Sequence, residues 1–162
     1  MSNDKNLYRT FRILDANFNR LREALRVVEE YYRFIREDEE ICVKLKAMRH
    51  SLADMEKTVG QTSLLDSRDT ESDCFASTSR PEEMGRADAE TILRANFKRA
   101  QEACRVIEEY AKLSAETEPV SRCAKETRFS LYAMEKGALS AKAAEGPRSP
   151  CQPPFYNSST DM

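Results

Sequence analysis

The sequence predicts an all-α protein: two copies of one helical hairpin, packed as a four-helix bundle about an internal pseudo-twofold axis. Three observations carry this. Segments 13–57 and 92–136 align at a constant offset of 79, and about 22 of their 45 paired positions are identical. Apolar residues recur at helical spacing in both copies. Glycine is scarce, 4 in 162 residues with 33% charged, which favours helices over a turn-rich β fold.

The duplicated helical domain is expected over 7–140. Its first helix starts near Leu7 or Thr10 and runs to Ile35, and its second runs from Glu39 to Thr58, with Gly60 where a helix C-terminus favours it. Residues 61–84 are rich in Ser, Thr, Asp and Glu, lack a sustained period and read as a long loop. The second copy supplies helices over 88–113 and 120–140, with Asp88 as a cap and Pro119 near the start of the last helix. The tail 146–162 carries four Pro and several Ser and reads as disordered, outside the fold. Neither hairpin buries its apolar face alone, so the copies are expected to pack on each other.

Composition narrows the function classes. A net charge of −2 argues against a general nucleic-acid binder. No apolar run approaches the roughly 18 residues of a membrane span, and the polar N-terminus has no signal core, so a cytoplasmic protein is expected. Five cysteines, widely spaced and without a CxxC, fit reduced thiols, and Cys104 stands in place of Leu25, where packing is its expected role.

Polar residues fall where a purely structural duplication would not need them. On a helical wheel Asn17 sits near the centre of the apolar arc and Arg20 within it, and Asn96 and Arg99 repeat this. In the second helices Arg49 with Glu56, and Arg128 with Glu135, sit on the apolar stripes. A guanidinium on such a stripe is costly unless paired or facing an anion. One reading pairs Arg20, Arg49, Arg99 and Arg128 internally with Glu23, Glu56, Glu102 and Glu135. The other places these arginines around a cleft between the hairpins, facing a phosphorylated ligand. Arg26, Glu29 and Glu30, with Arg105, Glu108 and Glu109, read as a solvated face. His50, replaced by Phe129 in the second copy, reads as a packing ring, and Tyr31 and Tyr110 as core. In the loop, Ser67-Arg68-Asp69-Thr70 and then Asp73 offer an Arg and two Asp for phosphate and Mg²⁺. The chain has no P-loop, kinase signature set or GxGxxG.

The strings RILDANFNRLREALRVVEEYYRF and ILRANFKRAQEACRVIEEYAKL, with MRHSLADMEK, SRDT and RFSLYAMEK, resemble the monofunctional hydroxymethylpyrimidine phosphate kinase family of thiamine biosynthesis. That family stands alone or is fused ahead of thiamine phosphate synthase; with no synthase barrel following here, the resemblance implies a standalone form. It implies transfer of the ATP γ-phosphoryl group to hydroxymethylpyrimidine monophosphate, giving the diphosphate, and neutralising two polyanions calls for arginines together with Mg²⁺. On that reading Asn17, Arg20, Arg49, Asn96, Arg99 and Arg128 bind substrate phosphates, Arg68 closes over the site and Asp69 holds Mg²⁺. The family's small Asp-Val-Gly motif is not matched after SRDT, where the chain reads Glu71-Ser72-Asp73-Cys74-Phe75. Asp15 becomes Arg94 in the second copy, so the halves of a site are not equivalent. The competing readings are a non-catalytic helical module that senses a phosphorylated thiamine precursor or docks on thiamine phosphate synthase, and a purely structural dimerisation bundle.

Overall fold

A computed structural model describes residues 2–71 and 85–144. Five α-helices and no strand occur among them: α1 (Ser2–Tyr31), α2 (Glu39–Val59), α3 (Gln61–Asp66), α4 (Ala89–Tyr110) and α5 (Glu118–Ala144). The all-α expectation holds, and the repeats form two hairpins, α1–α2 and α4–α5. No helix among the described residues is long and apolar enough to cross a membrane. The expected tail and the Asp-Val-Gly departure beyond Glu71 lie outside the described residues.

Local chemistry sets the ends of the helices. Asp38 caps α2 by accepting from the Ile41 amide at 3.0 Å, and Asp88 caps α4 by accepting from the Thr91 amide at 2.7 Å. Both acids cancel N–H groups that a helix start leaves without partners. Gly60, at φ 103°, ends α2 by donating its amide to the Glu56 carbonyl, and no other residue type takes this backbone without strain. Two details escape the sequence pattern. The end of α1 widens into a π-helical turn over Tyr32–Arg36, closed by Glu37 in the left-handed region. The first six residues of the expected loop form α3 instead, because Leu64 is buried against the core and Ser67 closes the turn on the Leu64 carbonyl at 2.8 Å.

The core is made of matched positions. Leu14, Phe18, Leu21, Leu25 and Val28 of α1 and their copies Leu93, Phe97, Ala100, Cys104 and Ile107 of α4 are all buried. Phe18 and Phe97 are the largest of these, worth about 2–3 kcal/mol each in burial. Leu45, Leu52 and Met55 of α2, and Val120, Ala124 and Leu131 of α5, close the other side. Cys104 is fully buried in the place of Leu25, as a packing residue. Cys42, Cys104 and Cys123 are free thiols.

Helix directions follow from what meets at one end of the bundle. A cavity there brings residues of α1 from Asn6 to Leu14 together with Val59 and with Tyr110–Thr117. The start of α1 therefore lies beside the end of α2 and the end of α4. So α1 and α4 are antiparallel, and α4 begins at the end of the bundle opposite to where α2 stops. A helix of 22 residues spans about 33 Å, and the connection from α3 to α4 must return over that length. This up-down-down-up order is why the link between hairpins is long. The turn between α4 and α5 is short and tied by side chains: Thr117 donates to the Ala111 carbonyl at 2.7 Å and Ser121 to the Glu108 carbonyl at 2.8 Å.

Candidate functional site

The α1–α4 crossing uses small residues. Ala24, Ala100 and Ala103 are buried there, which lets the two backbones approach closely. Above that contact lies a cleft of about 580 Å³ on the pseudo-twofold axis. It is lined by Asn17, Arg20, Glu23, Ala24 and Val27 and by Asn96, Arg99, Glu102, Ala103 and Val106. These ten residues are five pairs related by the offset of 79, and in every pair the two residues are identical.

The two asparagines are buried and held alike. Asn17 Nδ2 donates to the Ile13 carbonyl and Asn96 Nδ2 to the Ile92 carbonyl, both at 2.8 Å. That bond fixes which end of the amide meets the helix, and on Asn17 the freed Oδ1 accepts from Arg20 Nη1 at 3.5 Å. Arg20 and Arg99 are exposed at the cleft and have no carboxylate within 4 Å among the described residues. Glu23 and Glu102 are likewise exposed and unbridged there. Two guanidinia at one concave site, each without an ion pair, can receive an anion without first breaking an internal bridge.

The other arginines of the expected site go elsewhere. Arg49 donates from Nη1 to Glu29 at 2.7 Å, inside the first hairpin. Arg128 donates from Nη2 to Glu108 at 2.6 Å, inside the second. Both pairs are internal, yet their partners are not Glu56 and Glu135. Those two glutamates take Arg22 and, at 2.7 Å, Gln101 instead. Glu29 and Glu108, expected on a solvated face, are buried because α1 and α4 each pack against more than one helix and hide more than one stripe. Their identity in both copies was the available signal. Of the four arginines expected around one ligand, Arg20 and Arg99 line the axis cleft, while Arg49 and Arg128 are paired within their hairpins.

The hairpin clefts have diverged from each other. Beside Arg49, a cavity of about 630 Å³ is lined by Arg26, Arg33, Lys46 and His50. His50 is exposed, not a packing ring. Beside Arg128, the guanidinium lies 5.0 Å from the Phe129 ring and 5.7 Å from the Tyr132 ring, and the two rings meet edge to face at 5.9 Å. Tyr31 packs against the core, whereas Tyr110 is 38% exposed.

The SRDT segment docks on the outside of α1. Arg68 donates through Nε and Nη2 to the two oxygens of Asp15, and Arg12 holds Asp69 through its carbonyl at 2.9 Å and its carboxylate at 3.4 Å. The Asp15 carboxylate keeps the Arg68 guanidinium protonated more firmly than usual, through the hydrogen bonds first and the charge second. Asp15 is two residues from Asn17, about 200° round the helix, so this loop sits on the face turned away from the axis cleft. Arg68 does not close over that cleft. Among the described residues no group of three His, Cys, Asp or Glu side chains is arranged to hold a metal by itself.

A helical bundle with a two-fold, arginine-bearing cleft is the class these features define. The profile of the ThiD2 family matches residues 12–137, and the chain belongs to that family. Its curated relatives connect it to thiamine biosynthesis. It is 40% identical over 134 residues to a thiamine-phosphate synthase of Synechocystis, covering 83% of this chain and 37% of that one. It is 43% identical over 125 residues to a thiamine-phosphate synthase of Thermosynechococcus vestitus, covering 77% and 34%. A thiamine-phosphate synthase of Rhodopirellula baltica is 39% identical over 122 residues, covering 75% and 32%. The chain thus spans about a third of the length of these relatives. No solved structure matches it.

Proposed function

We propose that this protein transfers the γ-phosphoryl group of ATP to hydroxymethylpyrimidine monophosphate, giving the diphosphate, as a step of thiamine biosynthesis. The observation that carries the reading is the pair Arg20 and Arg99, unbridged across one cleft. The attacking atom is an oxygen of an existing phosphate, already anionic near neutral pH. No strong base is needed; charge neutralisation and alignment of two polyanions are. Two arginines give bidentate donors, the fixed amides of Asn17 and Asn96 give orientation, and the bundle gives rigidity. Mg²⁺ would supply the remaining neutralisation when bound with ATP. Glu23 and Glu102 suit it, since Mg²⁺ commonly takes one or two carboxylates together with substrate phosphates. Asp69 is less suited, because Arg12 already engages it. The selectivity expected is for the phosphorylated pyrimidine, because an alcohol would leave a guanidinium without its partner.

The relatives' name supports a second reading more directly: a non-catalytic helical module that works with thiamine phosphate synthase. Its specific support is that a segment of this length forms about a third of proteins so named. Incubation of the purified protein with ATP, Mg²⁺ and hydroxymethylpyrimidine monophosphate separates the two. Diphosphate product is expected. Its absence at high protein concentration, together with comigration with thiamine phosphate synthase, would establish the second reading instead.

A further inference from the structure

We infer that the axis cleft clasps two phosphoryl groups joined by a single bridging oxygen, one arginine to each. Inorganic pyrophosphate, which is that group alone, is then itself a ligand. The inference rests on the reading of this cleft as the phosphate site and adds what the cleft recognises.

The first support is the distribution of identity between the copies. About half of all paired positions differ, and the divergent ones include other polar surfaces: Asp15 against Arg94, His50 against Phe129, Ala53 against Tyr132. At the cleft all five pairs are the same. Packing accounts for the alanines, which floor the crossing. It does not account for Arg20, Glu23, Arg99 and Glu102, which are exposed and hold no bridge to each other within 4 Å. A requirement for like groups on both sides of the axis does. A two-fold cavity makes equal contacts at both ends only with a ligand of the same symmetry, and the P–O–P unit has it.

The second support is charge. Two guanidinia and two carboxylates leave the cleft formally neutral, which would hold a bare polyanion poorly. A magnesium complex of pyrophosphate fits better: each arginine would hold one phosphate, and Glu23 and Glu102 would offset the charge of the metal. With no three-residue metal group among the described residues, the cation is expected to arrive with the phosphates.

Calorimetric titration of the full chain with sodium pyrophosphate, with Mg²⁺ or with EDTA, tests this. One pyrophosphate per chain is expected, weakened at least tenfold by EDTA, with orthophosphate at least tenfold weaker than pyrophosphate. Arg20→Ala and Arg99→Ala should each weaken binding about 10- to 100-fold, the usual size for a charge-assisted contact, and by similar factors. Circular dichroism should be unchanged, since both side chains are exposed. Orthophosphate binding as tightly as pyrophosphate, two pyrophosphates per chain, or arginine variants differing by more than tenfold would each overturn the inference. Turnover assayed in parallel keeps the readings apart: a working kinase that ignores pyrophosphate sinks only the clasp, and pyrophosphate binding without turnover sinks only the kinase.

Discussion

Arg68 grips Asp15 with two nitrogens, Nε at 2.8 Å from one carboxylate oxygen and Nη2 at 2.7 Å from the other. The fork is bidentate, and Asp15 is nearly buried while Arg68 is half exposed. This one contact ties the segment after α3 to the middle of α1, 53 residues away in sequence.

Asp15→Ala should therefore free the loop without unfolding the bundle. A loss of about 1 kcal/mol is expected, since the pair is bidentate but partly exposed. Trypsin should cut after Arg68 faster than in the parent chain. Unchanged cleavage would show that the loop is held by Arg12 and the buried Ser67 alone.

The buried pairs should be unequal. Arg128 and Glu108 are more deeply buried than Arg49 and Glu29. Arg128→Ala leaves the buried Glu108 carboxylate with only the half-exposed Arg105 as its cation and should cost about 2 kcal/mol, with Arg49→Ala, which leaves Glu29 to Arg26, costing about half as much. Urea midpoints at unchanged slope measure both, and the reverse order would contradict the burial argument.

Stability should fall in alkali. Burial pushes the Cys104 thiol from its ordinary 9.0 up to about 12, and burial likewise raises the Tyr32 phenol from 10.0 to about 12. Both are neutral in the fold. Below about pH 9 the unfolded chain is neutral at these groups too, and their contribution is fully present. As pH rises towards 12 the unfolded chain ionises first, and a few kcal/mol are lost. Denaturant midpoints at pH 8, 9.5 and 11 should decline, and Cys104→Ala should flatten the slope that begins near pH 9.

Tyr32 carries a hydroxyl that is buried without a hydrogen-bond partner among the described residues. It stands at the start of the π turn, and its second-copy counterpart is Ala111. Tyr32→Phe keeps the ring and removes the stranded group, so stability should rise by about 1 kcal/mol, or about 2–4 °C in Tm. A fall would mean that the hydroxyl finds a partner in solution.

Much of this molecule was legible in its text, for identifiable reasons. The offset of 79 disclosed the hairpins, because duplicated apolar spacing is unambiguous over 45 residues. Asn17, Asn96, Arg20 and Arg99 were found because polar groups interrupting an apolar arc stand out. The wheel misjudged Glu29 and Glu108 because it assumes one buried face, whereas α1 and α4 each meet more than one helix. It placed Arg20 inside the apolar arc, yet the residue is exposed, because the close approach at Ala24 opens into a cleft. Short elements escaped for lack of periods: α3 has six residues, and the π turn shifts the phase of its own helix. Which arginines share a site depended on the antiparallel direction of α4, which no local pattern encodes.

The fusion of two like halves into one chain changes what can vary. In a dimer of separate hairpins, every substitution would appear on both sides at once, and charge would move only in steps of two. A single chain moves in steps of one. Asp15 is acidic while Arg94 is basic, so the one connecting segment has a single landing place, not two. The axis residues keep the pairing that a dimer would enforce, and some outer positions, Asp15 and Arg94 among them, have used the freedom that joining the halves allows.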